Sequence, residues 1–428
     1  MADEVKAPEF VFSNVGSHGD IMPLIGIAAE LVRRGRRCQL LANEHFRTEA
    51  GARGIGFFAN SHQRTQDDAP SSLVSRMYST FDRLRDYFRG PAAFDERTVV
   101  VSTCALSSCE LLPEAHRLRT VRLILFPIRI RSLIAPAWPL GARACGPDGE
   151  RFLKVTLPAM HRAADSHPEV LAKVNAVRAQ VGLAPVRLAS YEGSHVVAQA
   201  AMFPHWYGMP APDWPEMECL GFPLPSSPEP LPTRVLEFLA RFPRPLVFTT
   251  GTGVGKTERF FEAAARCCAE LKMPGIFLSR FLASERQKLA DDIAHFDHVE
   301  LEALLPHAAL IVHHGGMGTT ARALQAGIPQ VISPIAFDQP DNGHRVEVLG
   351  AGRVVSRDCM SGATFATAVR ELLGDAELRS RLSGYRAALA SPRAIERAAD
   401  LLESVARNTP LLRPVASQPT NMACARAS

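Results

Sequence analysis

The sequence predicts an α/β protein made of two doubly wound parallel-sheet domains. Three observations carry that reading. A strand–turn–helix–strand unit opens the chain at residues 10–42, and a second stands late in it at residues 309–333. The strand candidates are short continuous apolar runs such as Ala309-Leu310-Ile311-Val312, which suit strands buried on both faces of a parallel sheet. Between the two units, Pro223, Pro225, Pro228, Pro230 and Pro232 crowd one stretch and read as a stiff, exposed linker. The expected division is 1–222, a linker at 223–233, 234–388, a final helix at 389–407 and a tail at 408–428, rich in Pro, Ser and Ala and expected to be disordered.

Composition narrows the class. The 428 residues are 46% hydrophobic and 21% charged, a globular profile with enough apolar content for sizeable cores. A net charge of +4 is too small to argue for nucleic acid as a partner. The nine cysteines show no CxxC pairing, so no zinc site is read. No apolar run reaches membrane-spanning length, and the polar first nine residues lack the apolar core of a signal peptide. The expectation is a reduced, cytoplasmic enzyme.

The elements follow in order. Residues 10–15 are an apolar first strand, and Gly16-Ser17-His18-Gly19-Asp20 is the turn after it. A helix is expected from Ile21-Met22-Pro23, with proline suited to a first turn and Leu24, Ile27, Ala28 and Leu31 at helical spacing. Cys38-Gln39-Leu40-Leu41-Ala42 is the second strand. The turn lacks the GxGxxG spacing of a dinucleotide fingerprint. Residues 56–90 are polar and read as a loop with helical pieces such as 75–88. Residues 98–102 form a strand, and Ser102-Thr103 lies at its carboxyl end, where ligands gather in an open α/β sheet. Helix at 107–118, strand at 121–126, helix at 152–181 and strand at 195–198 complete the first half, and Trp206, Tyr207 and Trp214 among prolines form a rigid aromatic corner.

The second half opens with Leu246-Val247-Phe248-Thr249-Thr250 as a strand. The following Gly251-Thr252-Gly253-Val254-Gly255-Lys256-Thr257 is not a P-loop, because that motif needs glycine where Thr250 stands. Residues 275–280 are a strand ending in Arg280. The most informative stretch is 304–345. Strand 309–312 runs into His313-His314-Gly315-Gly316-Met317-Gly318-Thr319-Thr320, then a short helix that Gly327-Ile328-Pro329 stops, then strand 330–333. Glycines let backbone approach a ligand, and a helix start presents free N–H groups and a positive dipole end. A diphosphate fits that place, with the His314 ring and the Thr319 hydroxyl as added donors. Asp338-Gln339, after the second strand, suits sugar hydroxyls, since carboxylate accepts and amide does both. Gly343-His344-Arg345 begins or extends a helix, and residues 366–373, 376–388 and 393–406 read as helices, the last amphipathic.

These motifs resemble the donor-binding region of the family 1 glycosyltransferases, and within them the group of the rhamnolipid rhamnosyltransferase and natural-product enzymes. Asn175-Ala176-Val177-Arg178, Gly221-Phe222-Pro223-Leu224 and Pro245-Leu246-Val247-Phe248-Thr249 extend the similarity over most of the chain. The resemblance implies the GT-B fold, two Rossmann-like domains facing a cleft, and a nucleoside diphosphate sugar as co-substrate with no metal or other cofactor. It assigns His314, Gly315, Gly316, Gly318 and Thr319 to the diphosphate and Asp338 and Gln339 to the sugar. Gly19-Asp20-Ile21-Met22-Pro23 matches the family's Gly-His/Asp-x-x-Pro, which puts Asp20 at the position of the base. Locally Asp20 also reads as a helix-capping acid, and His18 could be the base, orient Asp20 or touch the acceptor.

Further implications rest on the same likeness. Thr252 is expected near the donor phosphates. His298 stands where the family has an aromatic that stacks on the nucleobase, but the Pro and Gln of that signature are replaced here. Ser102 and Thr103, at the end of the 98–102 strand, and Trp138, in an apolar, Pro-rich loop at 127–140, are the acceptor candidates, and plain packing explains that loop equally well. The last helix is expected to cross back to the first domain. The expected activity is inverting transfer of a dTDP-deoxysugar such as dTDP-rhamnose, or of a UDP-hexose, to a hydroxyl of a small, partly apolar acceptor. A lipid-like acceptor would add peripheral membrane contact. A GT-B nucleotide-sugar epimerase and a non-catalytic GT-B partner protein are the alternatives.

Overall fold

The structure is a computed structural model of the chain, describing residues 7–14, 16, 18–61, 80–90, 94–95, 97–103, 108–130, 132, 168–187, 195–226, 229–251, 257–280, 282, 289–390 and 393–407. Its first half is a seven-stranded sheet of order β3-β2-β1-β4-β5-β6-β7 in which every pairing is parallel. The strands are β1 (Phe10–Ser13), β2 (Cys38–Asn43), β3 (Gly56–Ser61), β4 (Val99–Ser102), β5 (Arg119–Ile124), β6 (Val196–Ala201) and β7 (Glu218–Cys219). The second half is a six-stranded parallel sheet of order β10-β9-β8-β11-β12-β13. Its strands are β8 (Leu246–Thr249), β9 (Gly275–Leu278), β10 (Ile293–Phe296), β11 (Leu310–His313), β12 (Gln330–Ile332) and β13 (Gly352–Val354). In each sheet the order reverses beside the first strand, which opens a crevice at the carboxyl ends of the flanking strands.

Alternation along each strand makes two cores per sheet. Phe10 and Phe12 face one cluster and Val11 the other; Leu310 and Val312 face one and Ile311 the other. Helix α1 (His18–Arg33) covers the first sheet's Phe10–Phe12 face. On the opposite face lie α2 (Phe81–Arg89) and α3 (Ser108–Ala115). Helix α4 is Pro168–Gln180 and α5 is the short turn His205–Gly208. In the second half, α6 (Thr233–Arg241) packs on the Ile311 face and α7 (Glu258–Leu271) on the other. Helices α8 (Met317–Ala326), α9 (Gln339–Val348), α10 (Gly362–Gly374) and α11 (Leu378–Ala388) complete the layers. Helix α12 (Ala394–Ala406) leaves the second half and buries Ala398, Leu401, Leu402 and Val405 against α1 in the first core.

Several readings change. Helix α1 begins at His18, so Pro23 lies in the helix interior and the turn residues His18, Gly19 and Asp20 form its first turn. The stretch 56–90 opens as strand β3 rather than loop, because Gly56-Phe57-Phe58 pairs with β2. Strands β7, β10 and β13 went unread; each has four residues or fewer. Helix α9 starts at Gln339, so Gly343-His344-Arg345 extends it and does not begin it. Most of the 127–140 loop, residues 152–167 of the expected helix and the 408–428 tail lie outside the described residues.

Candidate active site

The late βαβ unit builds the first wall. Strand β11 delivers His313 and His314 to a turn in which Gly315 has φ +90°, a left-handed conformation that favours glycine. His313 is fully buried and structural. Its Nδ1 accepts the Gly315 N–H at 3.1 Å, so the ring proton is on Nε2, which donates to Gln330 Oε1 at 3.0 Å. Burial pushes its pKa down to about 3, so the ring is neutral.

His314 points the other way, into a slot between two glycines. A Cβ on Gly251 would stand 2.5 Å from its Cε1, and one on Gly316 would stand 2.5 Å from its Nε2. Any side chain at either position would displace the ring. Burial pushes the His314 pKa down to about 4, and among the described residues its Nδ1 is buried with no hydrogen-bond partner. A buried, unpaired ring nitrogen costs free energy until a ligand meets it. Gly316 is the N-cap of α8 and makes no side-chain cap, so the first-turn N–H groups lack one. Among the described residues, and apart from its chain neighbours and its own helix backbone, Gly318 has no atom within 4 Å of where its Cβ would be. Packing against those residues does not require glycine there, and they leave the space beside the helix start open. Thr319 lies half-buried in the same turn.

Beyond β12 the backbone turns through Phe337, which is exposed and has φ +60°, an uncommon conformation for a bulky residue. Asp338 follows as the N-cap of α9. Asn342 Nδ2 donates to Asp338 Oδ2 at 2.7 Å. Burial, with the Asp20 charge as a further contribution, raises the Asp338 pKa from 3.8 to about 6, while Asn342 and Arg129 oppose the rise. Gln339 is buried, and its Oε1 accepts the N–H groups of Ile335 and Ala336 at 2.8 and 3.0 Å. What Gln339 can offer a sugar is therefore its Nε2 donors, not the acceptor expected of it.

Asp20 forms the opposing wall. It lies in the first turn of α1, where the helix dipole favours a negative charge, and is not the N-cap. A Cβ on Gly16 would come within 2.5 Å of its carboxylate, so that glycine makes room for the acid. Asp20, from the first half, lies near enough for its charge to raise the pKa of Asp338 in the second. His18 reaches solvent, and its ring centroid is 5.9 Å from that of Phe46. Crowding on the cleft side, then the nearby His298, hold its pKa below the ordinary value. His298 is exposed, with Nε2 2.9 Å from Glu300 Oε1, and that partner raises its pKa.

The acceptor candidates fare differently. Ser102 is fully buried and its hydroxyl donates to Glu110, which also holds Arg122 at 2.6 and 2.8 Å in a buried ion pair. It faces the sheet's interior beside Val100, not the cleft, so its assignment to the acceptor is corrected. Thr103 is 8% exposed at the end of β4. Trp138 and Thr252 lie outside the described residues. Sequence reasoning missed Gly251, Asn342 and Tyr207. The i, i+4 spacing of Asp338 and Asn342 on one helix was the available signal for the second; the others are set by tertiary contact.

Among the described residues no three His, Cys, Asp or Glu side chains gather as a metal-binding group, and no helix is long and apolar enough to cross a membrane. Residues 277–404 match the family described as erythromycin biosynthesis protein CIII-like, C-terminal domain. The chain is 26% identical over 420 residues to an O-mycaminosyltylonolide 6-deoxyallosyltransferase of Streptomyces fradiae, covering 91% of this chain and 95% of that protein. Its fold is that of the calicheamicin glycosyltransferase CalG4 (TM-score 0.67, 22% identity, 93% and 98% of the two chains). It is also that of the spinosyn rhamnosyltransferase SpnG, solved with thymidine diphosphate (TM-score 0.62, 17% identity, 92% and 99%). The shared two-sheet architecture gives this chain the GT-B fold, and the matched domain and the full-length likeness to a named glycosyltransferase make it similar to the family 1 glycosyltransferases.

Proposed function

We propose that the protein transfers a deoxysugar from a dTDP-linked donor to a hydroxyl of a small, partly apolar natural product, with inversion at the anomeric carbon. The observation that carries the reading is the pairing of the His314 slot and open helix start with Asp338, facing Asp20 across the cleft. The diphosphate would lie over Gly316 and Gly318, taking N–H groups from the start of α8, the His314 ring and the Thr319 hydroxyl. The sugar would meet Asp338 and the Nε2 donors of Gln339. Asp20 would take the acceptor proton as its oxygen bonds to the anomeric carbon and the carbon–oxygen bond to the diphosphate breaks. The departing charge falls on the N–H groups and dipole of α8, so no metal step is invoked, and a chelator should leave the rate unchanged.

The thymidine diphosphate bound by SpnG and the deoxysugar in the name of the Streptomyces relative favour a dTDP-deoxysugar over a UDP-hexose. The test incubates the enzyme with dTDP- and UDP-sugars, with and without macrolide-type and lipid-like acceptors, and follows free nucleoside diphosphate. Release that requires both substrates supports transfer. Donor interconversion without acceptor would instead identify an epimerase, and no turnover with any pair would leave a non-catalytic partner.

A further inference from the structure

We propose that Asn342 is a positioning residue of the sugar site, and that the Tyr207 hydroxyl sets the direction of its amide. The inference rests on the donor-site reading above and adds residues to it. Buried Asn342 sits on α9 one turn after Asp338. Its Nδ2 donates twice, to Asp338 Oδ2 at 2.7 Å and to the Gly315 carbonyl at 2.9 Å. One amide thus ties the acid that meets the sugar to the glycine turn that meets the diphosphate. Its Oδ1 accepts the Tyr207 O–H at 3.1 Å. A phenol that donates to the oxygen leaves the nitrogen facing the acid and the turn; without it the amide could rotate and present oxygen to a carboxylate.

Tyr207 comes from the first half of the chain, in α5, and is fully buried beside Trp206 and Phe222. Its place is fixed from the same helix it serves: Arg345 donates to the carbonyl of Gly208 at 2.6 Å and is paired with Asp341 at 2.8 Å. The aromatic corner therefore connects to the donor site through one hydroxyl and one amide. Nδ2 takes one acceptor position on Asp338 Oδ2, and a carboxylate has further lone pairs with which to accept from a sugar hydroxyl. The charged groups acting on that carboxyl from other elements are Asp20 of α1 and Arg129, which follows β5.

The test uses the full chain as wild type, Asn342→Ala and Tyr207→Phe, each checked for cooperative melting. Calorimetry from pH 5 to 8 gives the affinity of dTDP alone and of a dTDP-sugar, and their ratio isolates the sugar's share. In wild type that share should rise as Asp338 ionises. Asn342→Ala should reduce it about tenfold, as for one lost hydrogen bond to a charged group. The midpoint of its pH dependence should move up, since a donor that favours the ionised acid is gone. Tyr207→Phe should move both in the same direction by less, and it decides the matter alone if Asn342→Ala does not fold. An unchanged midpoint and ratio in the folded variants, or equal loss of dTDP and dTDP-sugar at an unchanged midpoint, overturns the proposal. Wild type that binds neither ligand refutes the donor-site reading instead.

Discussion

At the residue scale, adjacent histidines divide the work. His313 is neutral and bonded on both nitrogens, and holds the turn; His314 has a buried Nδ1 with no hydrogen-bond partner among the described residues. The sequence marked the pair and the glycines, because glycine-rich turns are local signals. It could not tell that Gln330, 17 residues on, satisfies His313. Ser102 misled for the same reason, as the carboxylate that takes its hydroxyl belongs to another element. Asp20→Asn should lower turnover at least ~10²-fold with donor affinity retained, measured by steady-state kinetics and calorimetry. If His18→Ala is the variant that fails and Asp20→Asn is not, the roles are exchanged. Asp338 gives a pH prediction. Its carboxyl is raised from 3.8 to about 6, so its contribution to stability is full below pH 3.8 and is lost as pH rises through 6. Asp338→Asn should therefore raise the melting temperature at pH 7.5, by at most about 3 kcal/mol of stability, and change little at pH 3.5, while weakening sugar binding.

At the element scale, the strand–helix order was legible wherever apolar runs were long enough, and the C-cap Gly327, with φ +70°, ends α8 where its sequence position indicated. The short strands β7, β10 and β13 at the sheet edges were not legible, since two to four residues without a flanking motif carry too little pattern. Nor was the start of α1, where Pro23 argued for a later beginning. Helix α12 is held by two kinds of contact. Leu402 is fully buried in the first core, whereas Asp400, 62% exposed, pairs with Arg34. Leu402→Ala should destabilise the protein by ~2–5 kcal/mol in urea unfolding, and Asp400→Ala by less than ~1 kcal/mol. Equal effects would mean that α12 is attached by charge and not by packing.

At the scale of the whole molecule, the two halves meet through more than a linker. Arg322 of α8 donates to the Pro225 carbonyl and lies 3.4 Å from Glu302, while Ser226 donates to Glu302 at 3.1 Å. The helix proposed to meet the diphosphate thus also grips the linker. The aromatic corner read from the first half packs into the core of the second, with Tyr207 on Asn342. Such long-range partners leave no periodic trace in the chain, which is why the two sheets were readable and these side-chain contacts between them were not. In the proposed reading the cleft brings a bound diphosphate opposite Asp20, and calorimetric titration of dTDP into wild type, His314→Ala and Asp20→Asn tests that most directly. The account requires binding to wild type and Asp20→Asn with similar affinity and clear weakening in His314→Ala. Equal affinity in all three, or none in wild type, would contradict it.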